Sequence, residues 1–91
     1  MNHPDNKRIQ ELRSQAQALE ATLQVGKNGI TDATLEELRG QLKRRKLVKV
    51  RLLPASAESG GSADDQARAL ADGVGAVLVE VRGSTAVLWK A

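Results

Sequence analysis

A single tryptophan, Trp89, is the whole aromatic complement of this chain of 91 residues; there is no Phe and no Tyr. Aromatic rings normally carry much of a small protein's buried area. Without them, and with no cysteine for a disulfide, the core must be built from Leu, Val, Ile and Ala in closely spaced layers. The same scarcity narrows function. A sheet that reads RNA by stacking bases on rows of rings has no rings to use. With no cysteine and one histidine, His3, a thiolate metal site, a structural zinc site or a histidine-centred triad cannot be assembled.

The apolar residues fall into phases that switch between helix and strand. Ile9, Leu12, Ala16 and Leu19 recur at i, i+3, i+7 and i+10, which predicts a helix from Lys7 to about Glu20 with Asp5 as its N-cap. Thr22–Val25 reads as a short strand stopped by Gly26. Thr31 is a suitable cap for a second helix, with Ile30 and Leu35 at the hydrophobic-staple positions. Leu35, Leu38 and Leu42 form its apolar stripe, and it should end near Arg45 or Lys46. Val48, Lys49, Val50, Arg51 and Leu52 alternate as in a half-buried strand, which predicts both bases on an open face.

Pro54 closes that strand, and Ala55–Ser62 (ASAESGGS) reads as a flexible surface loop. Ser62 can cap a third helix carrying Asp64 and Asp65 in its first turn and Ala67, Leu70, Ala71 and Val74 on its apolar side. Val77, Val79 and Val81 stand in phase in a strand over 76–82. Gly83-Ser84 suits a two-residue hairpin turn with glycine first, and Thr85–Lys90 returns as the last strand. The expectation is an α+β domain of order α-β-α-β-α-β-β, two layers, with helices on one face of the sheet and the other face open. Residues 1–6 read as a flexible tail and 7–91 as one domain.

Charge is distributed unevenly. Between Lys7 and Arg51 there are eleven Lys and Arg against five Asp and Glu, whereas from Leu52 onward three bases face five acids. The basic half is where a polyanion, most plausibly nucleic acid, would bind. Two features within it stand out. Gly26-Lys27-Asn28-Gly29 joins a strand to a helix start, where bare backbone can approach a phosphate chain and helix amides point outward. Alone it is a weak signal, since such tetrapeptides occur as plain turns and Asp32 competes for the helix end. Without a following Gly-Lys-Ser/Thr it is not a P-loop. The second feature is Lys43-Arg44-Arg45-Lys46 in the last turn of the second helix. Bases there complement the helix dipole, but four in succession exceed that need, and Lys49 and Arg51 extend the positive surface.

Other residues carry less. Trp89 reads as packing at a core edge in preference to stacking on a base. Glu36-Glu37 and Asp64-Asp65 are sequence neighbours about 100° apart on a helix, so neither pair makes an acid–base dyad. No nucleophile has a candidate base, and no enzyme, cofactor or metal site is expected. No apolar run approaches the ~20 residues of a membrane span, and MNHPDNKR lacks the apolar stretch of a signal peptide. The expected setting is the cytoplasm, with the chain a monomer.

The run Leu23-Gln24-Val25-Gly26-Lys27-Asn28-Gly29-Ile30-Thr31, then Lys46-Leu47-Val48-Lys49-Val50, then Gly83-x-Thr85-x-Val87-x-Trp89 resembles the CRM domain of the YhbY-like RNA-binding family. The likeness covers roughly residues 7–90, with the elements in the family's order. It implies a fold like the C-terminal domain of bacterial translation initiation factor three, with strands in order 1-2-4-3 and the last antiparallel to the rest. It also implies RNA binding: single-domain prokaryotic members are linked to the maturing large ribosomal subunit, and plant multidomain members to group II intron splicing. The family's loop matches Gly26–Gly29, and its basic surface matches Lys43–Lys46, Lys49 and Arg51. The 55–62 loop is longer and richer in Gly and Ser than the family pattern.

Two function classes follow. The first is an RNA-binding module that grips the phosphate backbone of ribosomal RNA or a pre-ribosomal large subunit. The second is an adaptor that presents its exposed sheet face or basic patch to an acidic protein partner, with only weak, length-independent affinity for RNA.

Overall fold

A computed structural model of the protein describes residues 5–26, 29–52 and 63–90. Its elements are α1 (Asn6–Gln17), β1 (Leu23–Val25), α2 (Asp32–Arg45), β2 (Leu47–Leu52), α3 (Ala63–Val74), β3 (Val77–Arg82) and β4 (Thr85–Trp89). The α+β class and the element order are as the sequence predicts. The sheet order is β1-β2-β4-β3. β1 runs parallel to β2, and β4 runs antiparallel to both of its neighbours. Among the expectations, Lys27, Asn28, Pro54, the 55–62 loop and the Ser62 cap lie outside the described residues.

Local chemistry sets the element ends. The Asp5 side chain accepts from the Arg8 amide at 2.8 Å and caps α1. Thr31 and Thr34 cap α2 reciprocally: the Thr34 amide donates to Thr31 Oγ1 at 3.2 Å, and the Thr31 amide donates to Thr34 Oγ1 at 3.4 Å. Ile30 and Leu35 flank that cap, both half-buried against the core. α3 stops at Gly75, whose φ of +67° lets the Ala76 amide bond back to the Ala71 carbonyl at 2.9 Å. Gly83, at φ +58°, turns the β3–β4 hairpin, and Ser84 needs no positive φ.

The main core lies on the face covered by α2 and α3. Val48, Val50 and Leu52 of β2 and Ala86 and Leu88 of β4 meet Leu38 and Leu42 of α2 and Ala67, Leu70 and Ala71 of α3. A second, separate cluster lies on the other face, where Leu12 and Ala16 of α1 cover Val79 and Val87, with Leu47 and Trp89 packed beside them. The helices therefore do not share one face of the sheet. α1 takes the side expected to be open, and the exposed sheet face, one of the two surfaces offered for the adaptor reading, is largely covered. The physical cause is in β3 and β4, which are apolar on both sides: burying only Ala86 and Leu88 would leave Val87 and Trp89 in water.

β3 departs from the expected phase in a second respect. Leu78 pairs with Leu88 and Glu80 with Val87, so Val79 is an extra residue in a β-bulge. Val79 joins the α1 cluster while Val81 packs against the main core. A bulge reverses the facing of everything after it, so the three valines do not lie on one side.

Candidate nucleic-acid interface

β1 and β2 end together, with Gln24 beside Arg51 and Val25 beside Leu52, so Gly26 leaves the sheet two residues beyond Gln24, the neighbour of Arg51. The Gly29 amide donates to the Gly26 carbonyl at 2.9 Å, closing the turn that leads into α2. Gly29 has φ +76°, a conformation that favours glycine. Gly26 has no such constraint, and a Cβ at either glycine would meet no atom within 4 Å. Gly26 and Gly29 thus leave uncrowded backbone at the strand end near the exposed Arg51.

The basic run sits elsewhere. Lys43, Arg44 and Arg45 occupy the last turn of α2, and Lys46 ends it at φ 69°. All four are exposed. From Thr31 to Lys46 the helix advances fifteen residues, about 22 Å at ~1.5 Å per residue. The glycine turn and the basic run are therefore at opposite ends of α2 and do not form one contiguous patch.

At the far end the sheet adds a residue that the sequence placed in its acidic half. The Lys90 amide donates to the Lys46 carbonyl at 2.7 Å, and Lys90, Lys43 and Arg39 line one shallow groove floored by Leu42 and Val74. Arg39 is already engaged there, by the Glu36 carboxylate and by the Gly73 carbonyl at 3.1 Å.

Lys49 has a different environment from the one expected. Its face of β2 is the α1 face, and its ammonium lies 3.4 Å from both the Ala16 and Leu19 carbonyl oxygens. No basic residue lies in the last turn of α1, so Lys49 supplies the cation that the helix C-terminus favours. It is half-buried, and only Arg51 of the two strand bases is exposed.

Trp89 is half-buried against the α1 cluster, and the Arg8 guanidinium lies 5.5 Å from its ring centroid. That is edge packing with a cation over the ring. Gln41 is a buried polar residue that periodicity did not reveal. Its Nε2 donates to the Thr22 carbonyl at 3.0 Å and to Glu37 Oε2 at 3.3 Å, and its Oε1 accepts from the Thr22 hydroxyl. These bonds pin the approach to β1 onto α2. Among the described residues no three acids or histidines gather as metal ligands, and no helix is long and apolar enough to cross a membrane.

Comparison with known proteins gives one consistent result. The model of the CRS1 / YhbY (CRM) domain matches residues 5–90. The "Probable RNA-binding protein YqeI" of Bacillus subtilis (strain 168) is 38% identical over 79 residues, which is 87% of this chain and 79% of that protein. The solution structure of the hypothetical protein SAV1595 from Staphylococcus aureus, proposed to bind RNA, superposes with a TM-score of 0.73 at 28% identity. That match covers 98% of this chain and 90% of the other.

Proposed function

Because the chain belongs to the CRS1 / YhbY (CRM) domain family, we propose that it is a non-enzymatic RNA-binding protein that holds structured ribosomal RNA during assembly of the large ribosomal subunit. The RNA-binding names of its relatives support the ligand class. The observation that carries the reading is the glycine turn. Neither packing nor φ explains glycine at Gly26, and the turn's open backbone stands beside Arg51. Such a surface fits a phosphate backbone, which a side chain at that position would hold away.

In this reading Gly26 and Gly29 let the RNA backbone approach, while Lys27, Asn28 and Arg51 supply charge and a donor around the turn. Lys43, Arg44, Arg45 and Lys46 make a second set of phosphate contacts about 22 Å away along α2. Lys49 is left out of the contact set, since α1 occupies its ammonium. Contacts of this kind position RNA without reading its sequence, so recognition is by shape.

The test is binding of structured ribosomal RNA across a salt series, with the chain and its K27A/R44A/R45A variant. Each lost phosphate contact lowers the slope of log affinity against log salt by ~0.7–0.9, so the triple variant should lose about two to three units of slope. An unchanged slope would overturn the contact assignment. Co-sedimentation of tagged protein with large-subunit precursors tests the assembly role, and its absence beside intact RNA binding would reject that role alone.

A further inference from the structure

The end of the sheet beside the glycine turn carries a row of residues in register across all four strands. Gln24 pairs with Arg51, Arg51 with Thr85, and Thr85 with Arg82. These residues share the face on which α1 packs, because Thr85 is two residues from Val87 and Arg51 is two from Lys49. α1 covers the rows that include Trp89 and Val87 and ends at Gln17, short of this last row. Gln24, Arg51 and Arg82 are accordingly exposed and Thr85 is half-buried.

The row keeps its charge. The acid nearest to it on the same face, Glu80, is bridged by Arg13 at 3.7 Å. Among the described residues no carboxylate pairs with Arg51 or Arg82. Strands lie ~4.8 Å apart, so the two arginine Cα atoms are about 10 Å apart with the Thr85 hydroxyl between them, and the whole row spans about 14 Å. Gly26 is only two residues, about 7 Å, beyond the Gln24 end. A polyanion leaving the glycine turn meets two guanidinium groups with no carboxylate partner among the described residues and a hydroxyl in line, at the end of the sheet where Ala16 and Gln17 of α1 border Thr85 and Arg82.

We propose that Arg51, Thr85 and Arg82 form a phosphate-binding shelf that carries an RNA backbone from the glycine turn across the strand ends to the β3–β4 hairpin. The inference rests on the RNA-binding reading and adds to it a contact, Arg82, from the acidic half of the chain. Arginine suits the task because its planar fork can grip a phosphate with two hydrogen bonds, and two such forks fix the direction of the strand.

The experiment measures binding of a fluorescently labelled hairpin RNA across a salt series. It compares the chain with R51A, R82A, R82K and, as a control on the opposite side of the sheet, R68A. All three side chains are exposed, and thermal denaturation should show each variant folded. Losing one phosphate contact costs a slope of ~0.7–0.9, equivalent to about a five- to eightfold loss of affinity at 0.1 M salt. R51A and R82A should each show that loss, R82K should keep the salt slope while losing part of the affinity with the two-bond fork, and R68A should match the parent chain. If the parent binds with a steep salt dependence and R82A binds equally well, the shelf is overturned and the RNA reading stands. If the parent itself shows no salt-dependent binding, the RNA reading fails and takes the shelf with it.

Discussion

Replacing Lys49 by methionine separates a structural lysine from a phosphate-binding one. Methionine keeps the unbranched stem that crosses β2 and removes only the ammonium. What is lost is the pair of 3.4 Å contacts to the Ala16 and Leu19 carbonyls. A hydrogen bond contributes ~0.5–1.5 kcal/mol net, and these long ones belong at the low end. The cation's attraction to a helix C-terminus adds ~0.3–1 kcal/mol where exposed and more where half-buried. Together they set the cost at about 1–1.5 kcal/mol. For a domain of this size ~1 kcal/mol moves Tm by roughly 4–8 °C, which thermal denaturation followed by circular dichroism resolves easily. K49A should lose more, since the buried methylenes go as well. Below the transition, RNA affinity and its salt slope should be those of the parent. A K49M variant with unchanged Tm and a severalfold weaker, less salt-sensitive RNA complex would refute the reasoning, because the ammonium would then be facing RNA and not α1.

Lys46 offers a paired test, because it ends α2 at φ 69° and ψ −36°, a conformation that glycine adopts freely and a β-branched residue only with strain. K46G should hold its stability while K46V loses about 1–2 kcal/mol in urea unfolding, yet both should weaken RNA binding equally, since both remove the same charge. Gln41→Ala removes the donor to the Thr22 carbonyl and the acceptor for its hydroxyl and should cost about 1–2 kcal/mol. Native-state hydrogen exchange should show the loss concentrated at Leu23–Val25, the strand that Gln41 anchors; uniform acceleration across the sheet would contradict that role.

The starts of α1 and α2 and the hairpin were legible because each rests on local chemistry, whereas the strand order came only with the family resemblance. Asp5 and Thr31 cap where a short polar side chain precedes a periodic run, and Gly83 stands where the turn needs a positive φ. The side taken by α1 was not legible from the alternation of Val48 to Leu52, which shows one apolar face only. The signal was in β4, where Ala86, Val87, Leu88 and Trp89 are consecutive apolar residues, the pattern of a strand buried on both faces. A period-2 reading of β3 failed for a related reason: nothing in Val-Leu-Val-Glu-Val-Arg marks Val79 as the bulged residue. The site suffered most from treating charge as a property of sequence halves. Lys49 belongs to the basic half and is spent on α1, whereas Arg82 and Lys90 belong to the acidic half and stand exposed beside basic neighbours.

The separation of the glycine turn from the basic run turns the choice between RNA module and protein adaptor into a question of length. One RNA strand that touches both ends of α2 must bridge about 22 Å. At ~3.4 Å per nucleotide in a stacked strand, that takes about six to seven nucleotides. A shorter oligonucleotide reaches one end only and releases only that end's counterions. The salt slope should therefore climb with length and step upward between about five and eight nucleotides. K43A/R44A should remove the step while leaving the short-RNA slope in place, because the glycine-turn end is untouched. An adaptor whose basic run is meant for an acidic protein has no reason to show that step. Weak affinity with a slope independent of RNA length would favour it, whatever the family resemblance.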